Sequence, residues 1–340
     1  MNNQSEKLFD RIRGLLAKDL GRFDARFADV LERQKELLSE KELALYTKGK
    51  KIRPILLLLS TRLNTSKPQI ELDEKVIAAA VSLEIAHIGS LIHDDIVDNA
   101  SMRRGLPTFN ASRGYEFALL IGDLQLMESA RVFSSFVSTV DDIKLMQEYL
   151  DTGYELCKGQ IEELVNETSE WDPKKISQRY YRIIDRKTGR LISFACEAGA
   201  RLADALPSQV KAMRKFGMFL GRAFQIMDDV MDILSPTHKA GKEIFTDLRE
   251  RRLSLPVIYA LDTAPKTHAI HRVINGEQIS ESDFEKACEF IKSSNSHIKA
   301  YNNARISVEE AKTELYQYKN NEYKQALFDL CDFVVDRGYQ

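Results

Sequence analysis

Residues 76–92 are apolar or small on every face of a helix, and Glu84 is their single acidic or basic side chain. A helix with no polar face needs apolar partners all around it, so it belongs at the centre of a bundle. No unbroken apolar run reaches the ~18 residues of a membrane span; Ile55-Leu56-Leu57-Leu58-Leu59 is far too short. Residues 217–234 repeat the pattern up to an acidic end, and 191–206 are rich in Ala and Gly, which lets helices approach closely. The expected fold is therefore all-α: a single large helical bundle of ten or more helices, residues 1–340 in one domain, with a central apolar cavity.

Composition agrees. Only 16 Gly and 8 Pro interrupt 340 residues, which favours helix over sheet. Turn signals are brief and stand about 20–35 residues apart, too far for strands of roughly 5–6 residues. Charge is balanced, 49 basic against 51 acidic side chains, net −2, which argues against a nucleic-acid partner. The N-terminus carries no basic-then-apolar leader, so the expected location is cytoplasmic, without a membrane anchor. Cys157, Cys196, Cys288 and Cys331 show no metal spacing and read as reduced thiols.

Each of the two apolar segments ends in the same pattern. The first closes on Asp94-Asp95-Ile96-Val97-Asp98, the second on Asp228-Asp229-Val230-Met231-Asp232. On a helix, residues four apart share a face, so Asp94 projects with Asp98 and Asp228 with Asp232. Asp95 and Asp229 lie about 100° round and can hydrogen-bond beside the site. Clustered carboxylates without His or Cys call for a hard cation, and Mg²⁺ is the one that joins a few carboxylates to substrate phosphates. A ferritin-like di-iron centre is disfavoured, because its Glu-x-x-His pairs are missing. Two such clusters at the mouth of an apolar bundle suit a phosphorylated ligand with a greasy tail.

An anion so placed also needs cationic donors. Lys50 and Arg53, three apart in Gly49-Lys50-Lys51-Ile52-Arg53-Pro54, open a helix. Arg103 and Arg104 follow the first acidic cluster; Lys242 and Arg252 follow the second. Lys187 and Thr188 lie in the third helical segment, Gln225 precedes Asp228, and His87 stands two helical turns before Asp94.

These residues, in this order, resemble the trans-isoprenyl diphosphate synthases, or polyprenyl synthetases. The likeness rests on 49–54, on HIGSLIHDDIVDNASMRRGLPT (87–108), Gly122-Asp123, Gly159-Gln160, Lys187-Thr188-Gly189, FQIMDDVMD (224–232) and DLRERRLSLP (247–256). It implies an all-α prenyltransferase, usually a homodimer, that joins an allylic diphosphate to isopentenyl diphosphate and releases pyrophosphate. Asp94, Asp95, Asp98, Asp228, Asp229 and Asp232 would then bind Mg²⁺ and the allylic diphosphate. Lys50, Arg53, His87 and Arg104 would hold isopentenyl diphosphate. Arg103, Lys187, Thr188, Gln225, Lys242 and Arg252 would meet the allylic diphosphate, with Thr188 and Gln225 easing the carbocation.

Three departures stand out. Arg251-Arg252 replaces the Gly-Lys usual in this family before the Leu-Ser-Leu-Pro stretch, and Gln125 and Met127-Glu128 stand where small or apolar residues are expected. Counting back from Asp94, Gly89, Ala86 or Ile85, and Ser82 are expected along a product tunnel. Gly89 and Ser90 are small, which predicts a medium- or long-chain product, beyond C15; a C15 or C20 product is the alternative. Other readings are a terpene cyclase, which would not consume isopentenyl diphosphate, and the catalytic half of a heteromeric synthase.

Overall fold

A computed structural model describes residues 3–67, 70–165, 172–234 and 244–336. The helices are α1 (Asn3–Leu15), α2 (Ala17–Glu32), α3 (Glu40–Thr47), α4 (Ile52–Asn64), α5 (Glu74–Val97), α6 (Phe109–Arg113), α7 (Tyr115–Ser134), α8 (Val140–Leu164) and α9 (Pro173–Ile184). A π turn, Asp185–Gly189, leads into α10 (Arg190–Leu202) and α11 (Pro207–Leu234). Then come α12 (Thr246–Arg249), α13 (Leu255–Thr263), α14 (Ala269–Ile274), α15 (Glu281–Ser293), α16 (Ser296–Leu315) and α17 (Glu322–Asp336). The only strands among the described residues are β1 (Met102–Arg103) and β2 (Leu106–Pro107), an antiparallel pair in the loop after α5.

Helix starts follow local chemistry. Asp73 caps α5 by accepting from the Lys75 N–H, and Ser39 and Thr139 form capping boxes with Glu42 and Asp142. Asp172 caps α9, with Pro173 in its first turn. Helix α5 is the apolar segment read from sequence, with 76–85 wholly buried. It is the one described helix apolar and long enough to cross a membrane, and most of it is enclosed by the bundle.

Helix α5 packs on α7, α4, α2 and α10; α11 packs on α16, α10 and α17. Small residues set the spacing. A Cβ on Gly199 of α10 would collide with the Leu57 carbonyl of α4, and one on Gly122 of α7 would run into the His93 ring of α5. The two acid-bearing helices are thereby held in one layer with α4 and α10, and their C-terminal ends open at the same mouth. A smaller apolar cluster, including Phe245, Leu248, Val257, Ile270, Phe284 and Ile291, joins α12–α15 beside that mouth.

Two expectations about α5 and α7 change. Five residues before Asp94 is about 140° round the helix, whereas four is about 40°. Gly89 accordingly faces α7, where its Cβ would meet Leu126, Gln125 and the Gly122 carbonyl. Ser82 also turns to α7: its hydroxyl donates to the Ser129 carbonyl at 2.8 Å, and the Ser129 hydroxyl donates to the Ser82 carbonyl at 2.7 Å. Half-buried Ala86 and Ser90 occupy the face that leads down from Asp94. Gln125, one of the departures, is buried in a reciprocal amide pair with Gln34, at 2.9 and 3.3 Å.

Candidate active site

A cleft of about 420 Å³ opens between the C-terminal ends of α5 and α11. Asp98, Gln160, Glu163, Tyr180, Lys187, Gln225, Asp229, Asp247, Glu250 and Arg252 are among its lining residues. Carboxylates at a helix C-terminus oppose the macrodipole, at roughly 0.3–1 kcal/mol each. Two clusters so placed are an electrostatic cost that a bound cation offsets.

The six aspartates fall into distinct roles. Asp95 is 3% exposed and fully engaged. It accepts from Arg103 Nε and Nη2 at 2.8–3.0 Å and from the Tyr46 hydroxyl at 2.7 Å. Asp229, 6% exposed, accepts from the Tyr180 hydroxyl at 2.6 Å, Gln225 Nε2 at 3.1 Å and the Leu255 N–H at 3.3 Å. The middle aspartate of each motif is thus held internally by a tyrosine, as the 100° offset anticipates. Burial pushes the Asp229 carboxyl up to about 7, against the pull of those hydrogen bonds and with a further push from Asp228.

Of the outer aspartates, Asp98 lines the cleft. Burial raises the Asp94 carboxyl, Lys187 opposes that, and Asp98 adds to it. Asp98 pairs with Arg252, which reaches it from beyond α12 and ties the two sides of the cleft. Asp228 is exposed. Asp232 instead fastens the following segment, accepting from the Thr246 and Asp247 N–H groups at 3.1 Å each.

The cationic and polar residues assemble in two groups. In the first, Lys187 pairs with Glu163 across the π turn, and the Thr188 hydroxyl donates to Gln225 Oε1 at 2.8 Å. Thr188, Gln225, Asp229 and Tyr180 so form one hydrogen-bonded chain along the cleft wall. In the second, Arg53, Glu84, His87 and Arg104 lie together. Arg53 is half-buried, and its buried Nε has no hydrogen-bond partner among the described residues. Burial lowers its pKa although Glu84, Asp94 and Asp228 favour the charge. Burial and the nearby Arg53, Arg103 and Arg104 hold His87 well below the usual histidine range, so it is neutral. Burial raises the Glu84 carboxyl.

Two of the expected basic residues have partners inside the protein, and a third lies outside the described residues. Arg103 is committed to Asp95 rather than directed to the open cleft, because that buried carboxylate needs a counter-charge. The Lys50 ammonium lies over the rings of Phe9 and Phe333. Lys242 lies outside the described residues.

The donor set fits a divalent cation. Every acid at the mouth is an oxygen donor, and Glu163, Asp247 and Glu250 add to the six aspartates. Among the described residues no three such groups converge into a cage.

Tyr46, Tyr180, Glu163, Asp247 and Glu250 escaped the sequence reading. The two tyrosines left a trace: each lies 49 positions before the aspartate it holds.

The pattern of the polyprenyl synthetase family matches residues 35–291. An octaprenyl diphosphate synthase of Haemophilus influenzae is 31% identical over 295 residues, 86% of this chain and 85% of that protein. A short chain isoprenyl diphosphate synthase of Methanocaldococcus jannaschii is 31% identical over 326 residues, 94% of this chain and 95% of its own. The crystal structure of a polyprenyl synthase from Caulobacter crescentus, complexed with calcium and isoprenyl diphosphate, superposes with a TM-score of 0.83 at 26% identity, covering 97% of this chain and 98% of that one. With two acidic motifs meeting at one cleft of an all-α bundle, and the family pattern running through both, this chain belongs to the polyprenyl synthetase family and is a trans-prenyltransferase.

Proposed function

We propose that the protein condenses isopentenyl diphosphate with an allylic diphosphate, using Mg²⁺, and releases pyrophosphate. The observation that carries this reading is the pairing of two cationic groups with the acidic mouth. Lys187 and Arg252 stand between the aspartate clusters, while Arg53, with its unpartnered buried Nε, lies behind them. A cyclase would have no use for the second cationic group.

Mg²⁺ bound at Asp94, Asp98 and Asp228 would neutralise the leaving diphosphate. Asp95 and Asp229 orient the motifs from inside, each locked by its tyrosine. Lys187 and Arg252 exchange their carboxylate partners for allylic phosphate oxygens. Arg53, neutral His87, Arg104 and Lys50 hold the second diphosphate. Thr188 and Gln225 present fixed dipoles to the positive charge that develops on ionisation. The apolar bundle excludes the water that would quench that charge.

The growing chain runs down the face of Asp94, Ser90 and Ala86. It is stopped where Tyr149 bonds Ser129 and stacks on Phe133 at 4.5 Å, with Phe194 5.7 Å away. That layer lies at the level of Ser82, about 18 Å below Asp94 at 1.5 Å per residue. Isoprene units of four carbon–carbon bonds span roughly 5 Å each, so a C15 chain of about 15 Å ends above it and a C20 chain of about 20 Å reaches it. We assign a product longer than C15, made in the cytoplasm by a one-domain chain. The exposed apolar side chains of α7 and α8 (Leu120, Met127, Tyr154 and Ile161) supply the face for a homodimer.

The test is incorporation of labelled isopentenyl diphosphate by the purified chain with Mg²⁺ and each of the C5, C10, C15 and C20 allylic primers. A ladder extending past C15 is expected. A ladder ending at C15 overturns the length assignment alone. Allylic substrate consumed without isopentenyl diphosphate points to a cyclase. No reaction with any primer overturns the self-sufficient homodimer in favour of a missing second subunit.

A further inference from the structure

We propose that Asp185 and Arg222 are positioning residues for the allylic diphosphate site and act through the π turn that carries Lys187 and Thr188. The inference rests on the reading above that Lys187 and Thr188 meet the allylic substrate.

The turn Asp185–Gly189 closes on a wider ring than an α-helix does: the Arg190 N–H donates to the Asp185 carbonyl, five residues back. Such turns are rare within helices, because they fit one residue more into the turn. If this one relaxed, α9 would rotate against α10 by about 100°, one residue's step, and Lys187 and Thr188 would swing with it.

The backbone contact with α11 does not resist that rotation. A Cβ on Gly221 would lie 2.7 Å from the Gly189 Cα, so two bare backbones meet there without side chains to interlock. Side chains around the contact supply the hold. Arg222 of α11 grips Asp185 bidentately, Nε to Oδ1 at 2.9 Å and Nη2 to Oδ2 at 2.7 Å. Thr188 makes the second tie to α11, through Gln225. Arg186 pairs with Glu155 and Glu162 of α8 at 2.9 and 2.6 Å, and Lys187 with Glu163. The Arg222 guanidinium is itself steadied, 5.4 Å from the centre of the Tyr181 ring and 5.7 Å from that of Phe219. Asp185 and Arg222 are half-buried, and neither is among the described residues that line the cleft.

When Lys187 leaves Glu163 for a phosphate oxygen, the turn gives up one of its ties to α8. The Asp185–Arg222 pair keeps the first residue of the turn in place through that exchange. A planar guanidinium forked onto a carboxylate fixes orientation as well as distance, which is what a turn liable to rotate requires.

Asp185→Ala removes this grip without altering a residue that lines the cleft. The expected result is an allylic KM raised about ten-fold, with the KM for isopentenyl diphosphate within about two-fold of its original value, because only the group that holds the allylic substrate is misplaced. Arg222→Ala does the same, and the double variant is no worse than either single one, since the two side chains act as a unit. Lys187→Gln raises the allylic KM as well. If Asp185→Ala does not fold, Asp185→Asn, which keeps the shape and loses the charge, is measured in its place.

An unchanged allylic KM in either Asp185→Ala or Arg222→Ala, while Lys187→Gln raises it, overturns the positioning role and leaves the reading of Lys187 standing. Equal rises in both KM values mark a general structural contact and also overturn it. A double variant whose loss is the product of the two single losses shows that the side chains act separately and overturns the pair. An unchanged allylic KM in Lys187→Gln overturns the reading of Lys187 itself.

Discussion

The Tyr180 hydroxyl donates to Oδ2 of Asp229 at 2.6 Å across 49 residues, and the Tyr46 hydroxyl donates to Asp95 at 2.7 Å across the same number. In both cases an inward aspartate is satisfied from a helix two elements earlier. Its neighbour Asp94 is half-buried and Asp228 is exposed.

Asp229 makes metal-free stability depend on pH. Its carboxyl titrates near 7 in the folded chain, against 3.8 for an ordinary aspartate. Between those values the folded state binds a proton that the unfolded state has released. The contribution from this group is therefore present below about pH 4, falls as pH rises from 4 to 7, and is gone above that window. Melting temperature measured against pH in EDTA should decline across it, and Asp229→Asn should flatten the decline. An unchanged slope in the variant would refute the assignment.

Asp94→Ala and Asp228→Ala should each lower kcat by about 10³, the scale of losing an electrostatic contact to the leaving group. Asp98→Ala should add a second effect, since it leaves Arg252 paired with Glu250 alone. Each variant needs a Mg²⁺ titration at saturating substrates. Retention of more than a tenth of wild-type kcat in Asp94→Ala would remove it from the metal site.

Product length should answer to the face of Ser90. Ser90→Phe places a ring one turn below Asp94, about 6 Å down, and should shorten the product. Tyr149→Ala opens the aromatic layer and should lengthen it. Gly89→Ala serves as the contrast: its added methyl presses on Leu126 and Gln125 of α7, so it should lower the melting temperature without moving the product ladder. Sizing the dephosphorylated products decides all three.

Arg62 and Asp19 form a buried bidentate pair, at 2.6 and 2.8 Å, that pins α2 to α4. Asp19→Ala leaves the guanidinium buried without its counter-charge and should cost roughly 3–5 kcal/mol. Denaturant unfolding measures this directly. A loss below 1 kcal/mol would mean that solvent reaches the pair.

The acidic motifs, the apolar helix and most of the basic residues were legible because their signals are local. Two identical five-residue patterns, each ending an apolar run, need no three-dimensional information to be recognised. Arg103 was legible as a site residue, but its partner was not: pairing it to Asp95 required knowing which aspartate turns inward. The Gly89 expectation failed on a rotation of one residue, since counting along a chain does not say which face of α5 meets α7. Glu163 was missed because a glutamate in a charged helix has no signature until Lys187 approaches it across the π turn.

Arg251 shows the same division. The sequence marks it as a departure from the glycine usual there. Its backbone φ of 60° explains why glycine is usual, and the bare face of Gly276, where a Cβ would press on the Arg251 guanidinium, explains how arginine is accommodated. The sequence by itself determined the all-α bundle, its central helix and the divalent-metal chemistry, because hydrophobic periodicity and carboxylate spacing are properties of short segments. The tertiary structure alone decided which aspartates a tyrosine ties inward, where Lys50 rests and which helix Gly89 faces. Each of these depends on groups distant in sequence that meet only when helices pack.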